Sequence, residues 1–337
     1  MLEISRFVFM RFIMAIITLL MVSFIVFSLM ELVPANCAVR YLAFKNTQGE
    51  QITIADIKAE EVRMGLDKPY VVRWAKWVTD VFVRGDFGIS CILRVRVNDL
   101  LGTKFWISLG ICLTSLLLAY AIAIPVGIYS ATTNKPTLNN FLRFFSYLGL
   151  AMPNFLLALM IMLISTVLFG DSLTGLFSKE YRDAAWSLAR FGDFLAHAWL
   201  PVFILGWSAT AFALQTVRAL ISDEYGKLYV TAARARGLFG RQLLWRYPAR
   251  HALPPIINSL GFDLNRVFNE LPIVAVILTL TEAGSLLLES LARSNDQQLA
   301  GAIIFMLTAS IVGLNFFTDV MLALVDPRIR RGVMGKG

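Results

Sequence analysis

The stretch 12–30, FIMAIITLLMVSFIVFSLM, carries no charged residue, and no other feature constrains the chain as much. As a helix rising about 1.5 Å per residue it nearly crosses a hydrocarbon core of about 30 Å. In lipid every backbone N–H and C=O must find its partner within the segment, so such a run is a helix and a membrane span. It is too long for a signal-peptide apolar region and no small-x-small cleavage site follows, so an uncleaved first span is expected. Further apolar stretches lie at 105–130, 144–169, 199–217, 253–280 and 299–325. The fold class expected is therefore all-α: a polytopic membrane bundle of about six transmembrane helices. Composition agrees, with hydrophobic residues at 57% and charged residues at 16%, against about 25% charged in soluble domains. The formal charge of +8 does not point to nucleic acid. Its Lys and Arg are interleaved with spans too apolar for a basic soluble domain, whereas cytoplasmic loops and anionic lipid headgroups account for them.

Segment by segment, residues 1–30 form an N-terminal transmembrane helix and 31–104 a long polar insertion. Within the insertion, ITIADIKAEEVRMGLDKPYVVRWAKWVTDVF has helical spacing, which predicts a small helical subdomain between the first two spans. Residues 105–325 form the transmembrane core, with a basic loop at 218–251, and 326–337 form a C-terminal tail. Orientation follows from Lys and Arg in the short segments. One side collects Arg6, Arg11, Lys135, Arg143, the seven basic residues from Arg218 to Arg250, and Arg328, Arg330, Arg331 and Lys336; the other holds only Lys179, Arg182, Arg190 and Arg293. Both termini are thus expected in the cytoplasm and the insertion outside, since 31–104 is too long for the charge rule to hold it back.

The densest basic run, YVTAARARGLFGRQLLWRYPARH at 229–251, falls on the cytoplasmic side of this topology. Val230, Ala233, Leu238, Leu243 and Leu244 are its apolar residues, and Gly237 and Gly240 suit the end of one short helix and the start of another. Ala232, Ala233 and Ala235 would let a partner surface approach closely. From the residues alone two readings stand: a positive loop against phospholipid headgroups, or a docking surface. The run resembles the cytoplasmic coupling motif YVxTARAKGL of ABC importer permeases of the dipeptide, oligopeptide and nickel subfamily, in their B-type subunit. Tyr229, Val230, Ala233, Arg234, Ala235, Gly237 and Leu238 match, Arg236 stands in the Lys place, and Thr231 occupies the position where the founding motif has Glu. The resemblance implies two short helices that insert into a cleft on an ATPase subunit. Ala232, Ala233, Gly237 and Leu238 would then be the contact seat, and Arg234 and Arg236 would pair with acidic groups on its rim.

The ending NFFTDVMLALVDPRIRRG resembles the same family's NLxxDxxYxxLDPRIR through Asn315, Asp319, Asp326, Pro327, Arg328 and Arg330. Asn315 and Asp319 share a helical face and are expected to fix packing through an inter-helix hydrogen bond. Asp326 before Pro327 is expected to stop the helix. Weaker echoes are ELVPAN, MGLDKPYVVRWAKWVTDVFVRGDFGIS, AIPVGIYSA and AMPNFLLALMI, in family order. After Glu270 the chain departs: IVAVILTLTEAGSLLLESL has Ala275, Leu278 and Thr281 where the family's VExxFxxPGLG has Glu, Phe and Pro, although Gly284 is kept.

Asn258, Asp263, Arg266, Asn269 and Glu270 make the fifth span too polar for lipid on every side and are the candidates for a translocation path. Arg266 is in helical reach of both Asp263 and Glu270, so either pairing is open. Pro125 and Pro153 are expected to kink spans two and three. Cys37 and Cys91 fall in the insertion, where an oxidising compartment allows a disulfide; paired and free thiols both stand. His197, His251 and the cysteines lack metal-ligand spacing, so no metal site is expected. Without a G-x-x-x-x-G-K-[ST] loop the chain supplies no ATP site of its own.

The resemblance implies a type I importer permease subunit, not itself an enzyme, in a bacterial inner membrane. Its partners would be a homologous permease, two ATPases that bind ATP and Mg, an extracytoplasmic substrate-binding protein, and lipid. Peptides or peptide-like solutes are the expected cargo. The rival is an ion-gradient-driven secondary transporter or channel, which leaves both motif matches as coincidences.

Overall fold

The computed structural model describes residues 2–32, 34–170, 173–182, 184–280, 283–292, 294 and 296–325. Asp326, Pro327, Arg328 and Arg330 lie outside the described residues, as do Thr281 and Arg293. Helices dominate: α1 (Leu2–Leu32), α2 (Cys37–Thr47), α3 (Ile54–Met64), α4 (Tyr70–Thr79), α5 (Val97–Thr132), α6 (Pro136–Ala151), α7 (Asn154–Phe169), α8 (Leu188–Tyr225), α9 (Leu228–Ala235), α10 (Gly240–Arg246), α11 (Pro248–Ile277), α12 (Ala283–Ala292) and α13 (Gln297–Val325). Among the described residues the only strand-like pairing is a single bridge between Ile89 and Arg96. By length and composition, Ile4–Leu32, Val97–Thr132, Leu188–Tyr225 and Gln297–Leu324 are each able to cross a membrane.

The remaining two expected spans differ from a plain reading of hydropathy. The stretch 144–169 is not one helix. It breaks at Met152–Pro153, and Pro136–Ala151 and Asn154–Leu168 meet at 97°. Proline pushes the residue before it out of the helical region, and Met152 is extended, with φ −97° and ψ 113°. The fifth stretch, 253–280, is helical without a break as far as Ile277, within α11, but Asp263, Arg266 and Glu270 make it too polar to qualify as a span by the same measure.

The chain packs as two compact units: Met1–Arg11 with Leu109–Leu280 and Leu314–Gly337, and Phe12–Ser108 with Thr281–Gly313. In the first unit α8 lies chiefly against α11 and α6. Small residues set these approaches, as helices in lipid require. A Cβ on Gly149 of α6 would come within 2.7 Å of the Ala211 Cβ on α8, and one on Gly206 of α8 within 3.3 Å of the Ser115 carbonyl on α5. At the ends of the chain Asp319 pairs with Arg11 at 3.2 Å. The expected hydrogen bond at Asp319 is therefore an ion pair between the first and last helices of this unit. Asn315 sits where it closes on Gly261 of α11.

The second unit is held by several local devices. Asn36 caps α2 by accepting the Val39 N–H at 3.0 Å and donates to Glu61 of α3 at 2.6 Å. Thr53 and Asp56 form a capping box at the start of α3, and hydrogen bonds from Thr53 hold the Asp56 carboxyl below its ordinary range. Arg73 of α4 forks onto Glu31 of α1 at 2.9 and 2.6 Å, the bidentate geometry guanidinium favours. Val26, Phe27, Trp77, Val81 and Phe305 form its core. Cys37 and Cys91 are joined by a disulfide, with Cα atoms 5.1 Å apart. Nearby, the buried Asp296 caps α13 by accepting the Leu299 N–H at 3.0 Å, and also accepts the Cys91 N–H at 3.1 Å and the Ser90 hydroxyl.

Candidate coupling loop and polar path residues

The basic run folds as the two short helices α9 and α10 that its glycines suggest. The turn between them is fixed by the backbone. Gly237 has φ +83°, its N–H donates to Arg234 O at 2.9 Å, and the Leu238 N–H donates to Ala233 O at 3.2 Å. This pair of bonds, with glycine in the left-handed region just past the helix end, satisfies carbonyls that α9 would otherwise leave open. Val230, Ala233 and Leu243 are buried together, with Tyr225, Tyr229, Leu238 and Tyr247 packed against them. The Tyr229 ring stacks near His251 at 5.0 Å and Tyr247 at 6.1 Å, so α9 is anchored on the first turn of α11. The Tyr229 hydroxyl donates to Glu224; burial first, and then that carboxylate, push its pKa above the ordinary tyrosine range.

This packing sorts the candidate contact residues. Ala233 is fully buried and serves the loop's own core rather than its surface, which corrects its expected place in the contact seat. Leu238 is half-buried, while Thr231, Ala232, Arg234, Arg236 and Gly237 are exposed. Sequence reasoning missed three large apolar side chains on the outside: Leu228 at 87%, Phe239 at 68% and Trp245 at 61% exposure. No local signal set them apart, because the packing of the two short helices on each other decides which apolar residues of the run are buried. Together with the exposed Arg234, Arg236, Arg241 and Arg246 they give the loop a surface suited to an apolar partner with acidic groups.

The polar residues of α11 are arranged differently. Asp263 is 2% exposed; it accepts the Tyr120 hydroxyl of α5 at 2.7 Å and lies 3.7 Å from the Arg266 guanidinium. Tyr120 also meets the Ser259 hydroxyl at 2.8 Å, and Arg266 lies 5.1 Å over the Phe212 ring of α8. Glu270 accepts the amide of Asn154, whose nitrogen also reaches the Leu205 carbonyl of α8 at 3.3 Å. Of the two pairings open to Arg266, the structure thus takes Asp263. Asn269 donates to Asn265 at 3.3 Å on the exposed face of the helix, and Asn258 is also exposed. Tyr120 and Asn154 were missed because their partners lie more than a hundred residues away in the chain.

Two family descriptions match the chain. Residues 123–331 match the binding-protein-dependent transport system inner membrane component, and residues 4–94 its N-terminal membrane component. The oligopeptide transport system permease protein AppB of Bacillus subtilis (strain 168) is 27% identical over 96% of this chain and 99% of its own length. The inner membrane ABC transporter permease protein YejB of Escherichia coli O157:H7 is 30% identical over 79% of this chain and 74% of its own. The dipeptide transport system permease protein DppB of Escherichia coli (strain K12) is 25% identical over 96% of this chain and 98% of its own. With its apolar helices, its two-helix basic loop and more than half its length inside the first match, the chain belongs to the family of binding-protein-dependent transport system inner membrane components, the permease subunits of ABC importers.

Proposed function

We propose that this chain forms, with a homologous permease, the membrane path of an ATP-driven importer for peptides or peptide-like solutes, and that loop 229–251 docks it onto ATPase subunits. The observation that carries the coupling role is the two-sided loop. Its outer face exposes Leu228, Phe239 and Trp245 among arginines, while its inner face is locked onto α11 through Tyr229, Tyr247 and His251. A displacement imposed on the outer face is therefore delivered to the helix that carries Asp263, Arg266 and Glu270. Relatives named for oligopeptide and dipeptide transport support the cargo class. ATP and Mg belong to the ATPases, and an extracytoplasmic binding protein delivers cargo on the side of the 31–104 insertion. Both termini and the loop face the cytoplasm of a bacterial inner membrane, in line with the Lys and Arg distribution. The test is to tag the chain, express it with its neighbouring genes, purify it in mild detergent and identify the accompanying chains by mass. An ATPase pair and one homologous permease are expected. A chain that purifies intact and alone would reduce the loop to a topology signal and favour a gradient-driven transporter.

A further inference from the structure

The second unit contains a cavity of about 700 Å³ between the end of α1, α4, the loop around the disulfide and the start of α13. α1 and α13 are both apolar enough to cross a membrane. Here the last turn of one meets the first turn of the other: Met30 lies against Gly301, and the Gln297 amide donates to Ala35 O at 3.0 Å. A cavity at the ends of two spans lies where hydrocarbon gives way to headgroups. Its inner wall includes Phe27 and Trp77, both part of the buried core of the unit.

The cavity lining holds five cationic side chains, Arg63, Lys68, Arg73, Lys76 and Arg94, against three carboxylates, Glu31, Asp80 and Asp86. The Trp77 indole N–H is buried, with Trp77 at 7% exposure, and has no hydrogen-bond partner among the described residues, whereas Arg94 is already ion-paired with Glu60. Lys68 and Lys76 also line the cavity. Its carboxylates already have partners: Glu31 pairs with Arg73 in the cavity wall, Asp80 pairs with Arg84, and Asp86 accepts the Gly88 N–H. Buried donors left open are costly, and ammonium groups beside an apolar wall match one class of ligand, an anion carried on an apolar body.

We propose that this cavity binds the phosphate headgroup of an anionic phospholipid, with the acyl chains leaving along α1. The same anion chemistry is offered by free phosphate, and the experiment separates the two. The intact permease complex is placed in phosphatidylcholine nanodiscs with and without phosphatidylglycerol, and retained lipid is measured by native mass spectrometry. The wild type should retain phosphatidylglycerol over phosphatidylcholine, and Lys68→Glu with Lys76→Glu should lower that retention roughly tenfold or more. Trp77→Phe, which keeps an aromatic side chain and removes the donor, should lower it by a smaller factor. If the double variant fails to assemble, the exposed single variant Lys76→Gln decides. Unchanged phosphatidylglycerol retention in these variants would overturn the proposal. So would displacement of the lipid by inorganic phosphate, which would assign the site to a soluble anion.

Discussion

The basic loop 229–251 and α11 adjoin in one unit, yet they treat charge in opposite ways. On the loop, Arg234, Arg236, Arg241 and Arg246 are exposed, and a few small apolar residues hold the fold from inside. On α11, Asp263 is buried, Glu270 half-buried, and each accepts a hydrogen bond from a different helix. The reason is dielectric. A cation in water costs little and stays free to meet a partner, whereas a charge taken out of water has to be answered at once. The same residue types therefore speak of recognition in one place and of internal order in the other.

If that contrast is right, substitutions on the two regions fail in different assays. The largest effect is expected from Asp263→Ala, which removes the carboxylate acceptor of Tyr120 and leaves Arg266 without its ion partner: a loss of about 3 kcal/mol, read as a lower unfolding temperature of the detergent-solubilised complex. An unchanged unfolding temperature would show that the buried row is not a structural network. Next comes Gly237→Pro, incompatible with φ +83° and lacking the N–H given to Arg234 O. Roughly 2 kcal/mol of local stability should go, and transport should uncouple from ATP hydrolysis; undiminished uptake would refute the role of the turn.

Smaller, and confined to docking, is the effect of Phe239→Ala combined with Arg234→Glu. ATPase retention on a tagged column should weaken by roughly tenfold with no change in unfolding temperature, since neither side chain belongs to the core. Equal loss of both readouts would erase the distinction between the regions. The smallest concerns Tyr229, whose removal to Phe costs about 1 kcal/mol through the lost bond to Glu224. Because its folded pKa is raised, the stability it contributes is full below the ordinary tyrosine value of about 10 and is lost as pH rises past it. Tyr229→Phe should accordingly flatten the alkaline decline in stability of the complex.

How much of this was legible beforehand depends on the distance over which each feature is decided. The spans α1, α5, α8 and α13 announce themselves because lipid imposes the same demand on every residue of a run. The turn at Gly237 is equally local, a helix end closed by glycine and its immediate neighbours. Pro153 marks a break, but the 97° between α6 and α7 is set by what each half packs against. Ala233 and Phe239 are both apolar and six positions apart, and only the packing of α9 on α10 separates the buried one from the exposed one.

The sequence alone therefore determined a helical membrane protein with a basic two-helix loop, because hydropathy, charge asymmetry and glycine placement act within a few turns of chain, while the permease reading rested on the resemblance of its motifs to a known family. Tertiary structure decided the partners: Asp263 with Tyr120, Glu270 with Asn154, Asp319 with Arg11, and Asp296 with the Cys91 loop. A polar group removed from water has to be satisfied, but nothing in its own neighbourhood says which distant donor will be brought within reach.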